Sequence, residues 1–130
     1  MPTLFKKIID REIPAFIIAE NEEFIAILDA FPLVKGHSLV IPKKEIDYIF
    51  DLEDDLLARM HIFSKNIARA LKKAIPCPKI GMAVIGLEVP HAHIHLVPLN
   101  QVSDLNFSNP KLKVDSQEME IIRDMIKSFL

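Results

Sequence analysis

The stretch Pro90-His91-Ala92-His93-Ile94-His95-Leu96-Val97-Pro98 limits what this chain can fold into more than any other. Side chains alternate across an extended backbone, so His91, His93 and His95 point one way while Ala92, Ile94 and Leu96 point the other. The apolar set suits a hydrophobic core. The imidazoles then share the opposite face and line a surface cleft. Three of the chain's five histidines fall within these few residues, a concentration that packing alone does not require.

Two chemistries suit such a row. Neutral imidazole is a common metal ligand, and histidines at i and i+2 can share one ion, with His37 as a candidate further ligand. Alternatively, one imidazole attacks phosphorus and forms a covalent intermediate. Its neighbours then hydrogen-bond to phosphate oxygens, and mutual repulsion discourages protonation of the nucleophile. Spacing does not separate the two readings.

The rest of the chain supplies elements on which such a strand can rest. Leu4, Phe5, Ile8 and Ile9 share a face of a short predicted helix over about residues 4–12, stopped by Pro14. Phe16–Ala19 and Phe24–Leu28 read as strands around the polar turn Glu20–Glu23, which predicts an antiparallel hairpin. His37–Ile41 follows as a third strand, closed by Pro42. Leu56, Met60, Phe63, Ile67, Leu71 and Ala74 recur at helical spacing and predict a long helix over about Leu52–Ala74. Asp51 is its expected cap, with Glu53, Asp54 and Asp55 at the positive end and Lys72 and Lys73 at the negative end. Ile80–Ile85 and His91–Val97 read as two more strands. A final helix over about Ser116–Phe129 opens on a candidate capping box, Asp115-Ser116-Gln117-Glu118, and buries Met119, Ile122, Ile126 and Phe129. Residues 101–114 have no clear period and read as loop. The order predicts an α+β domain with a mainly antiparallel sheet. Its length of 130 residues suits one domain spanning residues 1–130.

Charge and cysteine content exclude several classes. The formal net charge is −2, and Lys and Arg are scattered among acids, which gives no electrostatic case for nucleic-acid binding. The lone Cys77 excludes an intrachain disulfide and a cysteine-rich zinc cluster. The charges at Lys6, Lys7, Asp10, Arg11 and Glu12 break up any signal-peptide core, and no apolar run is long enough to span a membrane. The expectation is a cytoplasmic protein without membrane or nucleic-acid partners. His61, on the solvent side of the long helix, has no expected role.

With these residues in place, the chain resembles the histidine-triad family. His91-Ala92-His93-Ile94-His95-Leu96-Val97 matches the pattern His-φ-His-φ-His-φ-φ, with φ apolar. Phe5–Pro14 looks like the family's opening helix and turn. Leu28-Asp29-Ala30-Phe31-Pro32 resembles its ribose-binding segment, and Gly36–Lys43 its next strand. The resemblance implies an antiparallel five-stranded sheet with a long helix and a C-terminal helix, paired into a homodimer. It implies a protein that binds a purine nucleotide. Such a protein hydrolyses or transfers the nucleoside monophosphate of phosphoramidates, dinucleoside polyphosphates or related esters, with no cofactor. By position it makes His93 the nucleophile on the α-phosphorus, with His91 positioning it, His95 on the phosphate and His37 completing the network. Asp29 would hold the ribose hydroxyls, and Phe5, Ile8, Ile13, Ile27 and Leu28 would line the base pocket. Because free imidazole titrates near pH ~6.5, the rate is expected to fall as solution is acidified through that region.

The chain departs from the family in two places. Thr3 and Lys6 stand where many relatives carry a zinc-holding Cys-x-x-Cys, so no metal is expected there. Before the triad, Ile85-Gly86-Leu87-Glu88-Val89-Pro90 replaces a longer loop that carries an Asn and a Gln-Ser pair in the phosphoramidase branch. Glu88 then falls at the leaving-group position, provided the chain bends before Pro90, since strict alternation from His93 would turn it away. Besides the nucleotidyl hydrolase or transferase, two readings stay open: a nucleotide-binding regulatory protein with little turnover, and a metalloprotein ligated by His91, His93 and His95.

Overall fold

A computed structural model describes residues 2–130. It is an α+β fold built on one antiparallel five-stranded sheet. In chain order the elements are α1 (Leu4–Ile9), β1 (Ile17–Glu20), β2 (Phe24–Leu28), β3 (Ser38–Pro42), α2 (Asp54–Ala74), β4 (Lys79–Ala83), β5 (Ile94–Leu99) and α3 (Ser116–Lys127). The strands lie in the order β1-β2-β3-β5-β4, which places the histidine strand inside the sheet and β4 on its edge.

β2 shows how the layers form. Every residue from Phe24 to Leu28 is buried, a pattern expected of a strand covered on both faces. Phe24, Ala26 and Leu28 enter a core shared with Met60, Ile67 and Leu71 of α2 and Met119, Ile122 and Ile126 of α3. Ile25 and Ile27 enter a smaller core with Phe5 and Ile8 of α1 and Leu39 and Ile41 of β3. The sheet is therefore sandwiched between α2 and α3 on one face and α1 on the other. Ile94 and Leu96 join the α2 side with Ala92, which turns the histidine face toward α1. Gly36 makes the turn into β3 at φ +92°, and a Cβ there would meet Ile75 Cγ1 at 2.9 Å, so both the backbone and the approach of α2 call for glycine.

Several boundaries differ from the sequence expectation. Asp51 does not cap α2. It ends a short 3₁₀ turn, Ile49–Asp51, and α2 starts at Asp54 after Glu53. Burying both Ile49 and Leu52 forces an extended residue between turn and helix. α1 stops at Ile9, before residue 12, with Arg11 at φ +62°. β4 ends at Ala83, opposite His95, leaving Val84 and Ile85 outside the ladder. β5 begins at Ile94 because the preceding residues bond elsewhere: Ala92 N–H donates to the Ile46 carbonyl at 2.7 Å. In α3, Asp115 caps the helix through Glu118 N–H at 2.8 Å, but Phe129 lies beyond its end and is 45% exposed rather than buried. The stretch 101–114 contains a 3₁₀ turn at Val102–Leu105. Among the described residues no helix is long and apolar enough to cross a membrane.

Candidate active site

The histidines gather under α1, where β3 and β5 lie side by side. His91 and His37 are 0% and 1% exposed, and His93 and His95 only 6% and 8%. Rings this deep must spend their nitrogens on defined partners, and the partners here assign each proton.

His37 Nδ1 accepts the Leu33 N–H at 3.0 Å, so that nitrogen is bare. The neutral ring then carries its proton on Nε2 and donates it to His95 Nδ1 at 2.9 Å. His95 in turn keeps its proton on Nε2. His93 Nδ1–H donates to the His91 carbonyl at 2.7 Å, which leaves the Nε2 lone pair of His93 free. His91 Nε2–H donates to the Pro42 carbonyl at 2.8 Å, and its Nδ1 accepts from the Thr3 hydroxyl at 2.9 Å. Thr3 Oγ1 also accepts Lys6 N–H at 3.1 Å, capping α1. Thr3 was legible in the sequence only as a missing thiol. Its hydroxyl instead ties the first helix to the first histidine of the row.

The Nε2 atoms of His93 and His95 have no hydrogen-bond partner among the described residues. No fully buried side-chain nitrogen or oxygen is left unpaired there, so both atoms meet an open cavity of about 320 Å³ that their rings line. Phe5 closes on His93 edge to face, centroids 4.8 Å apart. Burial holds the His93 imidazole below its ordinary range, against the opposing pull of the His91 carbonyl. Burial, with the neighbouring positive charge, also lowers His37 to about 4 and His95 to about 3. All three rings are neutral near pH 7.

Asp29 follows β2 at the cavity wall, its side chain 20% exposed. One carboxylate oxygen accepts Phe31 N–H at 2.9 Å, and the other lies 3.5 Å from His37 Nε2. Burial raises its pKa. Glu88 also lines the cavity, because Gly86, at φ +70°, bends the chain before Pro90. Its charge is felt at Asp29.

The structure brings together Phe5, Asp29, His37, Glu88, His93 and His95 around this cavity, with His91 fastened behind them. Ile8, Ile13, Ile27 and Leu28 do not line it. Ile8 and Ile27 are buried in the core beneath α1, and Ile13 packs against that core. Leu28 faces the opposite layer, among α2 and α3. The apolar wall is made instead by Leu4, Leu39, Ile85, Val89 and Phe107. Phe107 and Lys111 went unnoticed in the sequence. Both lie in the aperiodic 101–114 stretch, where no pattern marks a residue as site-facing.

A metal fits poorly. His91 has both nitrogens engaged, so the row cannot ligate an ion as a set. Ligand atoms of Asp29, His37 and His95 do lie within 4.8 Å of one another. Binding a cation through His37 Nε2, however, would move that proton to Nδ1, where the Leu33 N–H already points. Two donors would then face each other.

Comparison with known proteins points to one family. The HIT domain model matches residues 10–102. An uncharacterized HIT-like protein of Methanocaldococcus jannaschii is 36% identical over 106 residues, covering 73% of this chain and 77% of its own. The adenosine 5'-monophosphoramidase HNT1 of Saccharomyces cerevisiae is 34% identical over 96 residues, covering 73% of this chain and 61% of the yeast protein. The crystal structure of a Hit-like protein from Bartonella henselae superposes with a TM-score of 0.85 at 27% identity, covering 98% of this chain and 96% of that one. A histidine strand inside a five-stranded antiparallel sheet, a matching domain model and these relatives together place the chain in the histidine-triad (HIT) family.

Proposed function

We propose that this protein is a nucleotidyl hydrolase or transferase in which His93 Nε2 attacks the α-phosphorus of a purine nucleotide derivative. One observation carries the reading: a neutral imidazole whose Nδ1–H is held by the His91 carbonyl at 2.7 Å presents a bare Nε2 to a cavity. As Nε2 bonds to phosphorus, the bond to the leaving group breaks and that group departs with its electron pair. The imidazole becomes cationic, and its Nδ1–H bond to the carbonyl strengthens. Water or another acceptor then attacks the nucleotidyl-His93 phosphorus. The Nε2–P bond breaks with its electron pair returning to a neutral ring, and the acceptor's proton passes to the departed group or to solvent. His95 Nε2–H donates to a phosphate oxygen throughout. His91 positions His93 through its carbonyl, and Asp29 accepts the ribose hydroxyls with its less engaged oxygen. Phe5 borders the base.

The active unit is a homodimer of single 1–130 domains in the cytoplasm. The unpaired edge of β4, with Met82 and Val84 exposed beside it, supports pairing of two copies.

Incubation with adenosine phosphoramidate, followed by acid quench and mass spectrometry, tests the mechanism. Wild type should release AMP and carry a transient adenylyl group. His93→Ala should lose turnover by at least about three orders of magnitude while still binding AMP. Wild-type rates in His93→Ala would sink the reading. A second reading, nucleotide binding with little turnover, rests on Leu87 and Glu88, which supply no neutral hydrogen-bond donor side chain beside the leaving group. In that case the same assay would show tight AMP binding without release.

A further inference from the structure

The walls of the cavity are unevenly charged. The histidines are neutral by their bonding pattern, Asp29 and Glu88 are acidic, and residues 85–89 offer no cationic or neutral donor side chain. A nucleotide phosphate entering this space would meet two carboxylates and no countercharge from the strand side. Among the described residues lining the cavity, the one Lys or Arg is Lys111, from the loop between β5 and α3.

Lys111 is held in position. Its ammonium donates to the Phe107 carbonyl at 2.7 Å and to the Asn109 carbonyl at 3.4 Å, and it lies 5.8 Å from the Phe107 ring centroid. The Phe107 ring packs on His95 at 4.6 Å and on His37 at 6.2 Å, centroid to centroid. Leu112 N–H donates to the Pro32 carbonyl at 2.8 Å, which pins the loop to the segment after Asp29. Carbonyls orient an ammonium without neutralising it, so the charge stays available to a ligand. Its field reaches Asp29, His37 and His95.

We propose that Lys111 is the phosphate-binding cation of this site, so that the anion is recognised from the loop after the triad rather than from the loop before it. This rests on the nucleotide reading above and adds to the neutral His95 donor a charged contact that favours a nucleotide over a nucleoside. Phe107 acts as a positioning residue, setting the height of the loop against His95.

Titration calorimetry with AMP and with adenosine, on wild type, Lys111→Met and Lys111→Arg, tests it. AMP affinity should fall about tenfold in Lys111→Met, the size expected for one partly screened charge pair. Adenosine affinity should stay within about twofold by the same arithmetic, since no charge is involved. Lys111→Arg should keep AMP affinity, and Lys111→Met should flatten the salt dependence of AMP binding. An unchanged AMP affinity in Lys111→Met overturns the proposal while leaving the nucleotide reading in place. Equal losses for AMP and adenosine would also overturn it, by showing that Lys111 merely supports the loop. Absence of AMP binding to wild type would remove both.

Discussion

His93 works under a constraint set by its neighbours. Its Nδ1–H is committed to the His91 carbonyl, so protonation must occur at Nε2, the atom proposed to attack. Burial resists that protonation. The acid limb of the pH–rate profile should therefore lie below the free-imidazole value of ~6.5, not at it as the sequence suggests. The acid midpoint of kcat/KM should be found below ~6.5, and a midpoint at or above that value would show that His93 is more solvated than the geometry indicates. The shift was not legible in the sequence because it depends on burial, to which Phe5, remote in the chain, contributes by closing on the His93 ring. The shared face of His91, His93 and His95 was legible, since alternation with Ala92, Ile94 and Leu96 requires no tertiary information, whereas the choice of His93 as nucleophile rests on the family pattern.

At the scale of elements, α1 packs on the histidine row through Phe5 and is hydrogen-bonded to it through the Thr3 hydroxyl. Thr3→Val removes the N-cap acceptor and leaves His91 Nδ1 without its donor. Losing a cap and stranding a buried acceptor together should cost roughly 2 kcal/mol of stability, read from urea unfolding, whereas Thr3→Ser should be nearly neutral. A Thr3→Val protein as stable as wild type would mean that the link between helix and row is incidental. Elements with strong periodicity were readable in advance: Met60, Ile67 and Leu71 mark α2, and Phe24–Leu28 marks β2. Ends and irregular stretches were not. The start of α2 depends on burying Ile49 and Leu52, and the path of 101–114 depends on tertiary contacts, the packing of Phe107 on His95 and the backbone bond from Leu112 to Pro32. Alternation along β2 already sends the neighbours Ile27 and Leu28 to opposite layers, but which apolar residues reach the cavity is set by tertiary packing.

Over the whole molecule, the neutral histidines couple folding to pH. His37 and His95 titrate at about 4 and about 3 when folded, through burial, and near ~6.5 when unfolded. Above that pH neither state binds a proton there. Below it the unfolded chain takes up protons that the folded one refuses, so stability falls from about pH 6.5 toward 4 and then more slowly toward 3. The slope reaches up to roughly 2.7 kcal/mol per pH unit for the two groups together. The raised pKa of Asp29 works in the opposite sense, but only near the carboxylate range. Urea midpoints should hold steady from pH 8 to 7 and drop clearly by pH 5, and a midpoint unchanged at pH 5 would contradict neutral burial of the pair. The order of protons in that pair begins at the Leu33 N–H and runs through His37 and His95 to the cavity. Its direction is thus written in a main-chain atom that nineteen of the twenty encoded residues possess. Drift at position 33 can alter the fit of a buried side chain without reversing the row. Proline alone would erase the instruction.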